Sequence, residues 1–441
     1  MDAPQSIKAK PRARVKTGHR LRFPTDTASA AHEKESLMTG RIETTTAGSL
    51  PRTPELIAAN AARTFAEDGF TLLRSPEFDA LVADAVGGIV ARQKEVGLTH
   101  VGDGEFGKAM SSAVDYGAWW SYSFQRVSGL SLTEENALNQ KPVRSEPGRI
   151  RLTAFTDRRD RNAFPAVYRD AETVPTGRVA TPFPSATGPL GYIGHDAVAA
   201  DVANLKNALA ANALETGFIT SIAPGSAARV LNQHYATDKD YVWAWAQALR
   251  EEYRAIVDAG LILQIDDPSL AENWDQINPE PSVEDYRAFS RENIAALNWA
   301  LEGLPQDRIR YHLCWGSWHG PHTTDIEFRH IIDLMLSVDA GAYSFEAANA
   351  RHEHEWKLWR DVELPAGKKI IPGVVGHSTN VVEHPELVAD RIETFASVVG
   401  PENVIASTDC GLGGRVHPDI AWAKLEALTE GARIASDRLL G

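Results

Sequence analysis

Leu261-Ile262-Leu263-Gln264-Ile265-Asp266-Asp267-Pro268 is a short apolar run that stops on two acids and a proline. It sits between two longer stretches, 238–260 and 284–302, whose apolar residues recur with a helical period. A strand set between helices of this length implies a parallel sheet with crossover helices. The same alternation runs outward in both directions. Strands are expected at 42–46, 98–102, 149–155, 218–222, 261–265, 309–314, 342–345, 370–375 and 404–407. Helices are expected at 197–216, 238–260, 284–302, 325–337, 350–362, 384–398 and 418–435. About eight such units fit an α/β fold of the closed (β/α)8 TIM-barrel type, with insertions, better than an open sheet.

Residues 41–441 are read as this one barrel, a catalytic domain. Residues 1–40 differ: positions 8–22 carry seven Lys/Arg and no acid, and a polar stretch without apolar periodicity follows. They are expected to form a disordered basic arm, or an oligomerisation arm that docks on a neighbouring subunit if the protein is a homo-oligomer, with Met38 a candidate native start. The 441 residues are 43% hydrophobic and 24% charged, an ordinary globular composition. No apolar run of bilayer length and no secretory signal stand out, so a cytoplasmic location without membrane contact is expected. The net charge of −14 argues against nucleic acid and for a small-molecule partner. No P-loop, dinucleotide fingerprint or serine nucleophile elbow is present.

Polar residues cluster where the expected strands end: Asp103-Gly104-Glu105, Asp266-Asp267, His312-Leu313-Cys314, Glu346, His377 and Asp409-Cys410. In a barrel these ends converge on one face, which is where the chemistry sits. Side chains two apart on a strand point the same way, so His312 and Cys314 can offer an imidazole nitrogen and a thiolate to one ion. Glu346 and Cys410 end later strands and complete a candidate Zn²⁺ set. Against this stands the plainer reading that isolated cysteines are small buried hydrophobes. Trp119, Trp120, Tyr116 and Tyr122, with Trp315 and Trp318 beside the His-x-Cys segment, could wall an apolar pocket or simply fill core.

Thr44-Thr45-Thr46-Ala47-Gly48-Ser49-Leu50-Pro51, Gln264-Ile265-Asp266-Asp267-Pro268, His312-Leu313-Cys314, Glu346 and Asp409-Cys410-Gly411-Leu412 together resemble the cobalamin-independent methionine synthases and their single-barrel relatives. The resemblance runs from about 42 to about 435 and matches the catalytic half of the longer two-barrel enzymes. Cys314-Trp315-Gly316, Gly320-Pro321-His322 and 379–386 look closer to the short zinc thiol-alkyltransferases that include the epoxyalkane:coenzyme M transferases. The resemblance implies a zinc site of His312, Cys314, Glu346 and Cys410. It also implies that Ser49, Glu105 and Asp266 hold the amino-acid end of a thiol such as homocysteine, and that His377 donates a proton, with His319 and His322 as substitutes. At the place where the long enzymes stack a pterin on tryptophan, this chain offers Tyr192, which puts folate in doubt.

The function expected is zinc-dependent methyl or alkyl transfer to a thiol, homocysteine-like or coenzyme M-like, from an alkyl donor. The substrate sulfur would attack as a thiolate. Trp315 and Tyr192 are the candidate donor contacts. An epoxide or other electrophile as donor is the alternative, and a non-catalytic zinc-binding barrel a third reading.

Overall fold

The computed structural model describes residues 40–110, 118–170 and 182–441; the expected arm, and Tyr116, lie outside them. Arg41–Gly441 forms one compact unit. Ten strands are described: β1 Glu43–Thr44, β2 Val101–Gly102, β3 Val127–Ser131, β4 Ser185–Tyr192, β5 Gly217–Ile222, β6 Ile262–Asp266, β7 Ile309–His312, β8 Ala342–Glu346, β9 Lys369–Val375 and β10 Ile405–Thr408. Eight of them form one parallel sheet in the order β1-β10-β9-β8-β7-β6-β5-β2. Its two ends meet, because the Thr44 carbonyl accepts from the amides of Thr99 (3.1 Å) and His100 (2.9 Å). The fold is therefore the expected (β/α)8 barrel.

Helices cover the outside because their apolar stripes face the sheet. Asp238–Asp258 buries Tyr241, Val242, Trp245, Leu249, Tyr253 and Ile256, spaced three and four apart, and starts where the Thr237 side chain accepts from the Asp240 amide. Pro76–Val96, His195–Ala211, Val283–Leu301, Pro385–Val399 and Pro418–Leu439 complete most of the ring. No helix among the described residues is long and apolar enough to cross a membrane.

Three expectations change. Residues 149–155 form no sheet strand: Leu152 bridges Ile277 alone, and the Thr153 backbone exchanges hydrogen bonds with Gln276. Its backbone groups are satisfied by the loop after β6 rather than by a neighbouring strand. The helix expected at 325–337 is broken, because Ile331 at φ −133° leaves the helical region between Phe328–His330 and Ile332–Leu336. At 350–362 the chain winds into a 3₁₀ helix, Glu353–Arg360. An antiparallel pair of strands, β3 and β4, which apolar alternation did not signal, lies in the long insertion between β2 and β5.

Candidate active site

His312 is the last residue of β7, and the chain then turns so that Cys314 follows it into the barrel mouth. Cys410 arrives there from the end of β10. Ligand atoms of all three lie within 4.8 Å of one another, and the two sulfurs are 3.8 Å apart. His312 Nδ1 is paired with the Ser344 hydroxyl at 2.9 Å. Its Nε2 is buried with no oxygen or nitrogen partner. The sulfurs are unequal. Cys410 is held well below the usual thiol range by its contact with Cys314 and by His312, against the effect of burial. Cys314 is pushed well above that range by Cys410 and by burial. Two thiolates bound tetrahedrally at about 2.3 Å would stand roughly 3.8 Å apart, which is the separation found. With an imidazole whose far nitrogen is fixed and whose near nitrogen is unpaired, the trio fits zinc.

Glu346 ends β8 and stands in a second fully buried group with His377 and Asp409, again within 4.8 Å. Glu346 accepts from the Trp315 amide (3.0 Å) and the Asn349 side chain (2.7 Å). Asp409 uses Oδ1 to accept from the amides of Ala347 (2.7 Å) and Ala348 (2.8 Å). Its Oδ2, like His377 Nδ1, has no hydrogen-bond partner. Burial and the Glu346 charge push the Asp409 carboxyl well above its usual range, while burial draws His377 down. Sequence reasoning gave Glu346 and His377 roles and named Asp409 at a strand end without assigning it one.

A cleft of about 280 Å³ opens above the thiol pair. Ser49, Glu105 and Asp266 line it together with His312, Cys314 and Cys410. Ser49 lies against the last strand end because its carbonyl accepts from the amides of Leu412 (2.9 Å) and Gly413 (3.0 Å). A Cβ on Gly411 would meet Ser49 Cβ at 2.7 Å, so the residue after Cys410 has to be glycine for the two segments to touch. Glu105 adopts φ +62°, a region rare for residues with a side chain. Its Oε1 accepts from the Thr220 hydroxyl at 2.8 Å and lies 3.5 Å from Lys108 Nζ. Asp266 accepts from Gln264 Nε2 (2.6 Å) and Trp119 Nε1 (3.0 Å). Burial raises its carboxyl to about 6, and His312 opposes the rise. Two carboxylates and a hydroxyl beside a thiol-rich centre can hold an ammonium group near a sulfur.

The far wall is aromatic and cationic. Trp119, Trp120, Phe155, Phe183 and Trp318 line the cleft. Tyr192 and Trp315 do not. Tyr192, the last residue of β4, is buried, with its hydroxyl donated to Glu252 at 2.8 Å. Trp315 is fully buried, stacked 4.0 Å from the His352 ring and bonded through Nε1 to the Ile326 carbonyl. Tyr122 does not line the cleft either; its hydroxyl oxygen accepts from the Ile222 amide at 2.6 Å. His322 has both ring nitrogens engaged, by Asp325 and by the Trp318 carbonyl. The same wall holds an ion cluster that sequence reasoning missed: Glu272 accepts from Arg158 (2.6 Å) and from Arg229 (2.7 and 2.9 Å). Arg158 also donates to Asp275 at 2.7 Å and lies 4.0 Å over Trp318.

Trp318 depends on a bare backbone at Gly316. That residue has φ +96°, and a Cβ there would stand 1.7 Å from Trp318 Cζ3. Gly316→Ala is expected to expel the ring from the cleft, breaking its stack on His322 (4.1 Å) and its bond to Tyr168 (2.8 Å). A loss of about 2 kcal/mol in urea denaturation and an altered near-ultraviolet tryptophan circular dichroism are expected. An unchanged spectrum would show that the ring does not need the glycine.

The fold and this mouth define a barrel with a His/Cys/Cys centre and a carboxylate-lined cleft. Comparison with known proteins places it: residues 195–433 match the family described as the cobalamin-independent synthase catalytic domain, and the chain belongs to that family. It is 27% identical over 211 residues to the methionine synthase of Saccharolobus solfataricus, covering 47% of this chain and 54% of that protein. Over 211 residues it is 28% identical to the 5-methyltetrahydropteroyltriglutamate–homocysteine methyltransferase of Corynebacterium glutamicum, covering 47% of this chain and 25% of that protein. The chain thus spans about half the length of the first of these relatives. In fold it is similar to the B12-independent methionine synthase of Shewanella sp. W3-18-1 solved with selenomethionine, at a TM-score of 0.62 and 20% identity, covering 91% of this chain and 99% of that one.

Proposed function

We propose that the protein is a zinc-dependent transferase that moves a methyl or other alkyl group onto the sulfur of homocysteine. The observation that carries this reading is the junction, in one cleft, of the His312, Cys314 and Cys410 trio with the carboxylates of Glu105 and Asp266. His312, Cys314 and Cys410 would hold the metal, with Glu346 beside them as the remaining candidate ligand. Zinc, when bound there, keeps an acceptor sulfur as thiolate at neutral pH.

The chain's own groups do the rest. Glu105 and Asp266 take the ammonium of the amino acid and Ser49 its polar end, so the sulfur points toward the thiol pair. Trp119, Trp120, Phe155, Phe183 and Trp318 form a wall for the donor and keep water from the reacting carbon. His377, buried beside Glu346 and Asp409, supplies a proton to the atom that leaves the transferred carbon. Family membership and the relatives named above support this assignment of acceptor.

The test is zinc stoichiometry followed by X-ray absorption at the zinc edge with and without L-homocysteine. One zinc per chain and an added sulfur at about 2.3 Å are the expected results. A spectrum that homocysteine leaves unchanged would overturn the reading.

A further inference from the structure

Arg310 lies two residues before His312 on β7, so its side chain points to the same, inner side of the barrel. It is buried, and its ring-facing side lies 3.5 Å from the Phe218 centroid. All three guanidinium nitrogens are used: Nε donates to Gln264 Oε1 (2.6 Å), Nη1 to the Thr45 hydroxyl (2.8 Å) and Nη2 to the Thr46 carbonyl (2.7 Å). None of these bonds reaches a carboxylate. A buried cation paired only with neutral groups is costly, and an apolar pair would fill the space between β6 and β7 as well. The feature calls for a reason.

The reason lies in what Arg310 does to its register partner Gln264. A guanidinium only donates, so the amide oxygen of Gln264 must face it. The amide nitrogen then faces the other way, where it donates to the Ala47 carbonyl (2.9 Å) and to Asp266 Oδ1 (2.6 Å). With Trp119 Nε1 on Oδ2 at 3.0 Å, both oxygens of Asp266 are fixed. A reversed amide would set an oxygen against the carboxylate and turn it away.

We infer that Arg310, acting through the Gln264 amide, is a positioning residue that aims the Asp266 carboxylate at the ammonium group of the thiol acceptor. This rests on the homocysteine reading above. It predicts that the clamp affects recognition of the ammonium and leaves the sulfur's place untouched.

The test compares two ligands on the zinc-loaded protein by calorimetry: L-homocysteine, and 4-mercaptobutyrate, which has the same thiol and carboxylate but no ammonium. In the unsubstituted protein homocysteine should bind more tightly. Arg310→Met and Gln264→Leu should each weaken homocysteine about tenfold or more while changing 4-mercaptobutyrate less than about twofold. Arg310→Lys keeps the charge but not the planar fork, and should recover only part of the loss. Equal weakening of both thiols, or no change in either, overturns the inference. Equal binding of the two thiols by the unsubstituted protein overturns the ammonium reading itself, and the inference with it. Gln264→Leu retains the buried Arg310 and gives a second, independent reading should Arg310→Met fail to fold.

Discussion

Cys410→Ser is expected to bring bound zinc from one per chain to nearly none and to lower alkyl transfer by on the order of a thousand-fold, the several kcal/mol that metal activation supplies. The serine hydroxyl is close in size but does not ionise near neutral pH. It removes the thiolate that Cys314 and His312 favour at this position. Cys410 lies at the mouth, after the last strand residue Thr408, and its loss opens no cavity in the apolar core. Urea denaturation of the metal-free proteins should therefore agree to within about 0.5 kcal/mol. A variant that still binds stoichiometric zinc would rule out the trio as the metal site.

The largest expected loss of stability comes from Glu272→Gln. Glu272 is buried and neutralises Arg158 and Arg229 together. Burial alone would raise its carboxyl, yet the two arginines hold it down to about 2. Because the folded value lies below the unfolded one, its contribution is complete above the usual carboxylate range and is lost as pH falls through about 2. The amide keeps the shape but leaves Arg158 with Asp275 alone and Arg229 bonded to neutral groups such as Gln276, at a cost of about 3 kcal/mol. The urea midpoint at neutral pH should fall accordingly, and the difference between the two proteins should shrink toward pH 2. A difference that does not shrink would mean that the charge of Glu272 is not what matters. The cleft should suffer as well, since Arg158 covers Trp318 and Arg229 packs 4.8 Å over Phe155.

Much of the mouth was legible because a parallel barrel gathers its strand ends, so polar residues closing apolar runs announce themselves. His312, Cys314 and Cys410 are of this kind, as are Asp266 and Glu105. What failed was adjacency in sequence. Trp315 follows Cys314, but successive residues in extended chain face opposite ways, and its ring goes outward to Phe328 and His352. Trp318, three further on and past the Gly316 turn, is the one that lines the cleft. The β3–β4 pair was hidden because β4, Ser-Ala-Thr-Gly-Pro-Leu-Gly-Tyr, is too rich in glycine and proline to read as a strand. Partnerships were the least legible. Gln264 stood in a family motif without a role and Arg310 reads as an ordinary strand residue; only the register between β6 and β7 sets one against the other. Glu272, Arg158 and Arg229 come from three separate segments, and no local pattern joins them.

The meeting of β1 with β10, and of Ser49 with Leu412 and Gly413, sets an order on assembly. A chain that folds as it is synthesised presents the first strand early and must keep its edge unpaired until the last arrives, the slow and long-range kind of closure. Until then Cys314 stands alone with His312. A half-closed barrel can offer a metal ion one sulfur and one nitrogen, a weak and open grip, whereas the second sulfur comes into reach only when the circle is complete. On the zinc reading proposed above, metal loading waits on closure, and an ion retained against a chelator would mark a finished barrel.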